Sequence, residues 1–194
     1  MESEPTDPLD AGLQIADVFE RAGVPYAIGG ALAHSLWAVP RATVDVDIDV
    51  FVEDPELPRV FDALESIGIA VDRPQCLLDS ANRGMFVVRL GSYRVDVFTP
   101  SIPFAWEAAR TRRKEIISDR AAWFLSPEAL AVFKLMFFRA KDIVDLQRMI
   151  AVQGTRLDAA YVRHHVVEMM GDDDERVRRW DELVRAHRPA TPTA

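Results

Sequence analysis

The chain has 194 residues, 49% of them hydrophobic and 28% charged, with a formal net charge of −8. That length holds one α/β domain with a helical appendage and buries enough surface to fold without disulfides. A single cysteine, Cys76, excludes a disulfide framework and a thiolate metal cluster, and the acidic balance argues against coating nucleic acid by bulk charge.

The opening MESEPTDPLD is acidic and polar, unlike a secretory or transit peptide. No apolar run approaches the roughly 18 residues of a membrane span. The expected location is therefore the cytoplasm, with no membrane partner.

The spacing predicts a helix over 7–22, with Asp7 as cap, Pro8 in its first turn and Gly23-Val24-Pro25 as its end. A short strand, Tyr26-Ala27-Ile28, runs into Gly29-Gly30 and a small-residue helix closed before Pro40. Residues 41–52 read RATVDVDIDVFV, a strand by alternation. A helix follows Pro55, with Leu57, Val60, Phe61, Leu64 and Ile67 at helical spacing and Gly68 as its stop. Residues 69–83 read as a short strand and loop. MFVVRL and YRVDVF flank Gly91-Ser92, a two-residue hairpin signal with glycine first.

PFAWEAARTRR reads as a helix, and KEIIS and AAWFL as short strands. Ser126-Pro127-Glu128 is a helix start, with a capping hydroxyl, a proline and an acid in order. Helical segments are expected over about 127–138, 142–152, 156–169 and 174–187. The fold class is thus α+β. A core over 1–125 precedes a helical portion over 126–188, and a disordered tail is expected over 189–194.

Three aspartates are the feature that asks for a function. Strand side chains alternate faces, so Val44, Val46, Ile48, Val50 and Val52 share one side and Asp45, Asp47 and Asp49 the other. Successive residues on one face lie ~6.6–7 Å apart, within reach of a common cation. Unneutralised like charges in such a row are costly. A hard divalent ion such as Mg²⁺ removes that cost and prefers carboxylate oxygen. The alternative is a solvated acidic face. Upstream, Gly29-Gly30 at a helix start allows a backbone to approach a phosphate, or simply makes a turn.

In this order, Gly29-Gly30 and then Arg41-Ala42-Thr43-Val44-Asp45-Val46-Asp47 resemble the signature of the DNA polymerase beta-like nucleotidyltransferase superfamily. The form R-x-T-x-D-h-D is similar to the branch containing abortive-infection toxins of the AbiEii type. YRVDVFTP resembles the later strand with the third carboxylate, here Asp96. SPEALAVFKLMFFRAKDIVDL resembles that branch's helical motif, here Lys134, Arg139, Lys141, Asp142 and Asp145. The match spans 26–146.

The resemblance implies a nucleotidyltransferase-type mixed sheet and transfer of a nucleoside monophosphate from a nucleoside triphosphate, ATP among them, to an acceptor hydroxyl. Asp45, Asp47 and Asp96 would hold Mg²⁺ or Mn²⁺, and Asp96 would also help activate the hydroxyl. Gly29, Gly30, Arg41, Thr43, Lys134 and Asp145 would meet the nucleotide, with Lys134 also counted as catalytic. RNA, tRNA in particular, or a protein would be the acceptor. The resemblance permits a toxin–antitoxin role with an antitoxin protein as partner.

Some choices stay open. Asp47 and Asp49 could be the metal pair, although Arg41 and Thr43 favour Asp45 and Asp47. Thr43 suits a phosphate or a strand. Lys134 interrupts a helix apolar on nearly every side and needs an anion, either a phosphate or Asp142 or Asp145. An unbroken helix would keep Asp145 about three turns away, so a pair needs a turn near Arg139-Ala140. His34 reads as packing, His164-His165 as surface without metal-partner spacing, and Arg110–Lys114 as a solvated run or an RNA contact. A non-catalytic nucleotide-binding or protein-interaction module on the same fold is the rival from another class. A metal-dependent phosphohydrolase is disfavoured because no His-Asp cluster accompanies the acids.

Overall fold

The computed structural model describes residues 4–187, so the expected tail over 189–194 lies outside the described residues. The chain divides into two compact units, Met1–Leu32 with Ala42–Leu125, and Ala33–Arg41 with Ser126–Ala194.

The first unit is built on a six-stranded mixed sheet. Its strands are β1 (Tyr26–Ile28), β2 (Asp45–Val50), β3 (Met85–Leu90), β4 (Tyr93–Phe98), β5 (Arg113–Ile117) and β6 (Arg120–Phe124), in the spatial order β3-β4-β2-β1-β6-β5. β2 runs antiparallel to β1 and parallel to β4, and β1 runs parallel to β6. Helix α1 (Pro8–Ala22) starts on the Asp7 carboxylate, which accepts the Asp10 N–H at 2.8 Å, and ends at Gly23 in the left-handed region. It covers the valine face of the sheet. A Cβ placed on Gly12 would lie 3.4 Å from Val46, so the helix sits close on β2. Helix α3 (Leu57–Glu65) covers the same face through Phe61, whose ring meets that of Phe86 edge-on at 5.5 Å.

Val46, Ile48, Val50 and Val52 are at most 1% exposed, as the alternation requires. Val44 is a correction. It precedes β2 and is 74% exposed, because the strand begins only at Asp45.

Residues 69–83 are a second correction. They hold helix α4 (Arg73–Arg83), capped by Asp72, which accepts the Gln75 N–H at 3.2 Å, and ended by Gly84 at φ 66°. Its apolar pattern is faint because Leu77 and Leu78 face solvent while Cys76 and Ser80 are buried. The legible signal was the cap, Asp72 with Pro74 and Gln75 following.

The two hairpins close differently. Gly91 takes φ 57° between the paired residues Leu90 and Tyr93. Between β5 and β6, Ser118 and Asp119 adopt φ 51° and 63° without a glycine. Helix α5 (Phe104–Thr111) precedes that hairpin.

Helix α2 (Gly30–Trp37) opens in the first unit and runs into the residues assigned to the second. The rest of the second unit is α6 (Pro127–Phe137), α7 (Ala140–Gln153), α8 (Ala159–Met170) and α9 (Glu175–His187). The Ser126 hydroxyl caps α6 by accepting the Ala129 N–H at 3.1 Å. Trp180 on α9 is 1% exposed, and its indole donates to the Ala159 carbonyl at 3.0 Å. Among the described residues no helix is long and apolar enough to cross a membrane.

Candidate active site

Register places the acids. In the parallel pair of β2 with β4, Asp45 stands opposite Arg94 and Asp47 opposite Asp96, while Asp49 stands opposite Phe98. Strands neighbour one another at about 4.8 Å, so Asp47 and Asp96 are side by side on one face, with Asp45 and Asp49 above and below. The sequence-predicted trio of Asp45, Asp47 and Asp96 is therefore on one face of two adjacent strands.

The glycines belong to the same corner. The Gly29 N–H donates to the Asp47 carbonyl at 2.9 Å and ties the end of β1 to β2. Gly30 takes φ 52°, and a Cβ there would lie 1.8 Å from Asp47 Oδ2. Only glycine leaves room for that carboxylate. A Cβ on Gly29 would lie 2.8 Å from Asp49 Oδ2.

Electrostatics record the crowding. Burial first, and the Asp47 charge second, push the Asp49 carboxyl up to about 8. Asp96 is held by Arg94, whose Nε donates to its Oδ1 at 2.7 Å. That bond first, then the charges of Asp96, Asp45 and Asp47, raise the Arg94 pKa. The donor set consists of carboxylates alone, crowded enough to favour protonation of one of them. It fits a hard divalent cation of the Mg²⁺ or Mn²⁺ kind.

Thr43 serves the strand. Its hydroxyl accepts the Asp45 N–H at 3.3 Å and lies 3.2 Å from the Asp45 carbonyl, fixing the start of β2.

Asp145 centres a second cluster, within the second unit. The chain turns at Phe138, φ 54°, and Asp142 then caps α7 by accepting the Arg139 N–H at 3.1 Å. The turn brings Asp145 back to Lys134, whose ammonium donates to its Oδ2 at 2.7 Å and lies 3.9 Å from Asp142. Arg41 grips the same carboxylate with Nε and Nη2, each at 3.1 Å. Lys134 is 4% exposed and Asp145 2%. Burial alone would raise the Asp145 pKa. Hydrogen bonds from Arg41 and Lys134, with the charge of Lys134, instead hold it below the usual carboxylate range.

His34 is fully buried, with Nε2 3.1 Å from the Asp145 carbonyl oxygen. Burial lowers its pKa against the pull of Asp145, so the imidazole is neutral and donates that bond. Sequence spacing gave no reason to join His34 to Asp145.

The remaining candidates are local. His164 and His165 do have a partner: with Glu168 on α8 their ligand atoms lie within 4.8 Å of one another, though His164 and Glu168 are exposed. In the Arg110–Lys114 run, Arg110 pairs with Glu107, and Arg112 stacks over Trp123 at 4.6 Å.

No protein-family model matches the chain, and no curated protein is significantly similar to it in sequence. Solved structures share its fold. The solution structure of the antibiotic-resistance factor ANT(2'')-Ia superposes with a TM-score of 0.60 at 16% identity, covering 94% of this chain and 98% of that one. The crystal structure of ANT(2'')-Ia with adenylyl-2''-tobramycin gives 0.57 at 15% identity over 80% and 95% of the two chains. An antigenic nucleotidyltransferase-like protein from Paracoccidioides brasiliensis gives 0.55 at 16%, over 95% and 94%. The chain has the nucleotidyltransferase fold.

Two outcomes follow for the Asp145 cluster. Lys134→Met leaves a buried carboxylate with Arg41 alone, and should lower stability to urea by on the order of 3 kcal/mol. Unchanged stability with lost nucleotide affinity would assign Lys134 to a phosphate instead. The second outcome concerns acid. Asp145 takes up its proton less readily in the native state than in the unfolded chain. Its stabilisation is complete above the ordinary carboxylate value of about 4 and is lost as pH falls through its lower native pKa. The stability gap between wild type and Asp145→Asn should therefore narrow as pH drops below about 4, and a constant gap would contradict the pairing.

Proposed function

We propose that the chain is a metal-dependent nucleotidyltransferase, moving a nucleoside monophosphate from a nucleoside triphosphate to an acceptor hydroxyl. The observation that carries this reading is Asp47 standing opposite Asp96 in parallel register, beside Asp45 and against a glycine-opened helix. In the reaction the acceptor oxygen attacks the α-phosphorus, its bond to the bridging oxygen breaks, and pyrophosphate leaves. A bound Mg²⁺ or Mn²⁺ would neutralise charge on the attacking and leaving oxygens.

Asp45 and Asp47 would hold the cation. Asp96 would complete the site and draw the proton from the attacking hydroxyl. Gly29 and Gly30 leave space for a phosphate at the start of α2, where helix N–H groups favour negative charge. The work of the protein is positioning and charge balance.

RNA, tRNA in particular, or a protein is the proposed acceptor. The adenylylated tobramycin seen with ANT(2'')-Ia adds small hydroxylated compounds to the panel. A toxin role with an antitoxin partner rests on the sequence resemblance alone. The protein would be incubated with each α-labelled nucleotide, Mg²⁺ and the acceptor panel.

Asp96→Asn should bind nucleotide within a few-fold of wild type by calorimetry, yet lose on the order of 10²–10⁴ in pyrophosphate release. Nucleotide binding by wild type without turnover on any acceptor would favour a non-catalytic binding module. Turnover of Asp96→Asn at the wild-type rate would remove Asp96 from the site.

A further inference from the structure

The acid face brings its own cation. Arg94 precedes Asp96 by two residues on β4 and so shares its face, and in register it stands opposite Asp45. Its guanidinium is bound to Asp96 at 2.7 Å, with 47% of the Arg94 side chain exposed against 17% for Asp96. On the other side its register partner is Arg89 of β3. Like charges directly opposite one another disfavour a sheet. Arg89 turns to its own hairpin, donating to the Ser92 carbonyl at 2.5 Å, whereas Arg94 turns to the acids.

We infer that Arg94 is a latch on the metal site: without a divalent cation its guanidinium occupies Asp96, and full loading requires it to let go. This rests on the reading that Asp45, Asp47 and Asp96 hold the cation. Guanidinium and metal compete for the same carboxylate lone pairs, and holding both on Asp96 would set two positive charges side by side. The guanidinium's bond is to Asp96, so a first cation can be taken up by Asp45 and Asp47 while the latch is closed. Asp96 joins only after Arg94 swings out, a movement its half-exposed side chain can make into solvent. Until then the carboxylate that would draw the acceptor's proton is engaged. Arg94 is thus a positioning residue, acting through Asp96.

A half-exposed ion pair competes by a factor of about five at most. Manganese binding without nucleotide, followed by the electron paramagnetic resonance of free Mn²⁺, reads this without any turnover. Arg94→Gln should tighten Mn²⁺ by about three- to fivefold, and Arg89→Gln, which removes the same charge from the adjacent register position, should change it by less than about twofold. Asp47→Asn should abolish binding in either background. Equal tightening by both arginine variants would mean bulk charge alone and would overturn the latch, as would no tightening in Arg94→Gln. Binding that depends on Asp47 but ignores Arg94 removes the latch and leaves the metal site. Absence of Asp47-dependent binding in every variant removes both.

A second readout needs no variant. In wild type, the Arg94 Nε–H resonance, protected by its carboxylate, should move to fast solvent exchange when Mg²⁺ is added. A resonance still protected at saturating Mg²⁺ overturns the proposal.

Discussion

Repulsion between carboxylates is the constraint around which the first unit is arranged. β2 places three on one face, and its parallel register with β4 adds a fourth directly opposite the middle one. Each directly opposed like-charge pair costs up to about 1 kcal/mol. The other face decides the matter, since burying a Val or Ile side chain contributes about 1.5–3 kcal/mol and Val46, Ile48 and Val50 are all buried. A slip of one residue would send the valines to the acid face, so the apolar side fixes the register and the acids have no choice of place. What remains is managed locally, by Arg94 on Asp96, by the raised pKa of Asp49, and by a glycine that makes room for Asp47.

The second unit handles charge in the opposite way. Asp145 is sealed from water and answered by Lys134 and a two-pronged Arg41, with the Asp142 cap close by. Such a cluster contributes little net stability over an apolar one, yet losing a single member is expensive. It depends on backbone geometry as much as on charge, because Phe138 must enter the left-handed region for α7 to fold back on α6. The first unit sets like charges side by side, whereas Asp145 in the second is matched by two cations.

Much of this was legible in the sequence where one signal dominated. The alternation of β2, the glycine hairpin and the Ser126-Pro127-Glu128 start each follow from local chemistry and recur in the structure. The mixed sheet was expected through resemblance, and a fold shared at 16% identity shows how little of the pattern needs to persist. Three things escaped. Helix α4 escaped because its apolar residues face water, so the period signal fails where only the cap speaks. The pairing of Arg94 with Asp96 depends on which carboxylate a side chain chooses, and alternation gives the face but not the partner. The link of His34 to Asp145 joins residues far apart in the chain, and only a folded chain brings it about.

The central claim is that the face shared by β2 and β4 takes a divalent cation with a triphosphate. Crystals grown with Mn²⁺ and a non-hydrolysable nucleoside triphosphate analogue would test it by anomalous diffraction. The account predicts an anomalous peak at the carboxylates of Asp45, Asp47 and Asp96, with Arg94 withdrawn from Asp96. A Mn²⁺ peak on His164, His165 and Glu168 with none at Asp47, and Arg94 still on Asp96, would contradict it.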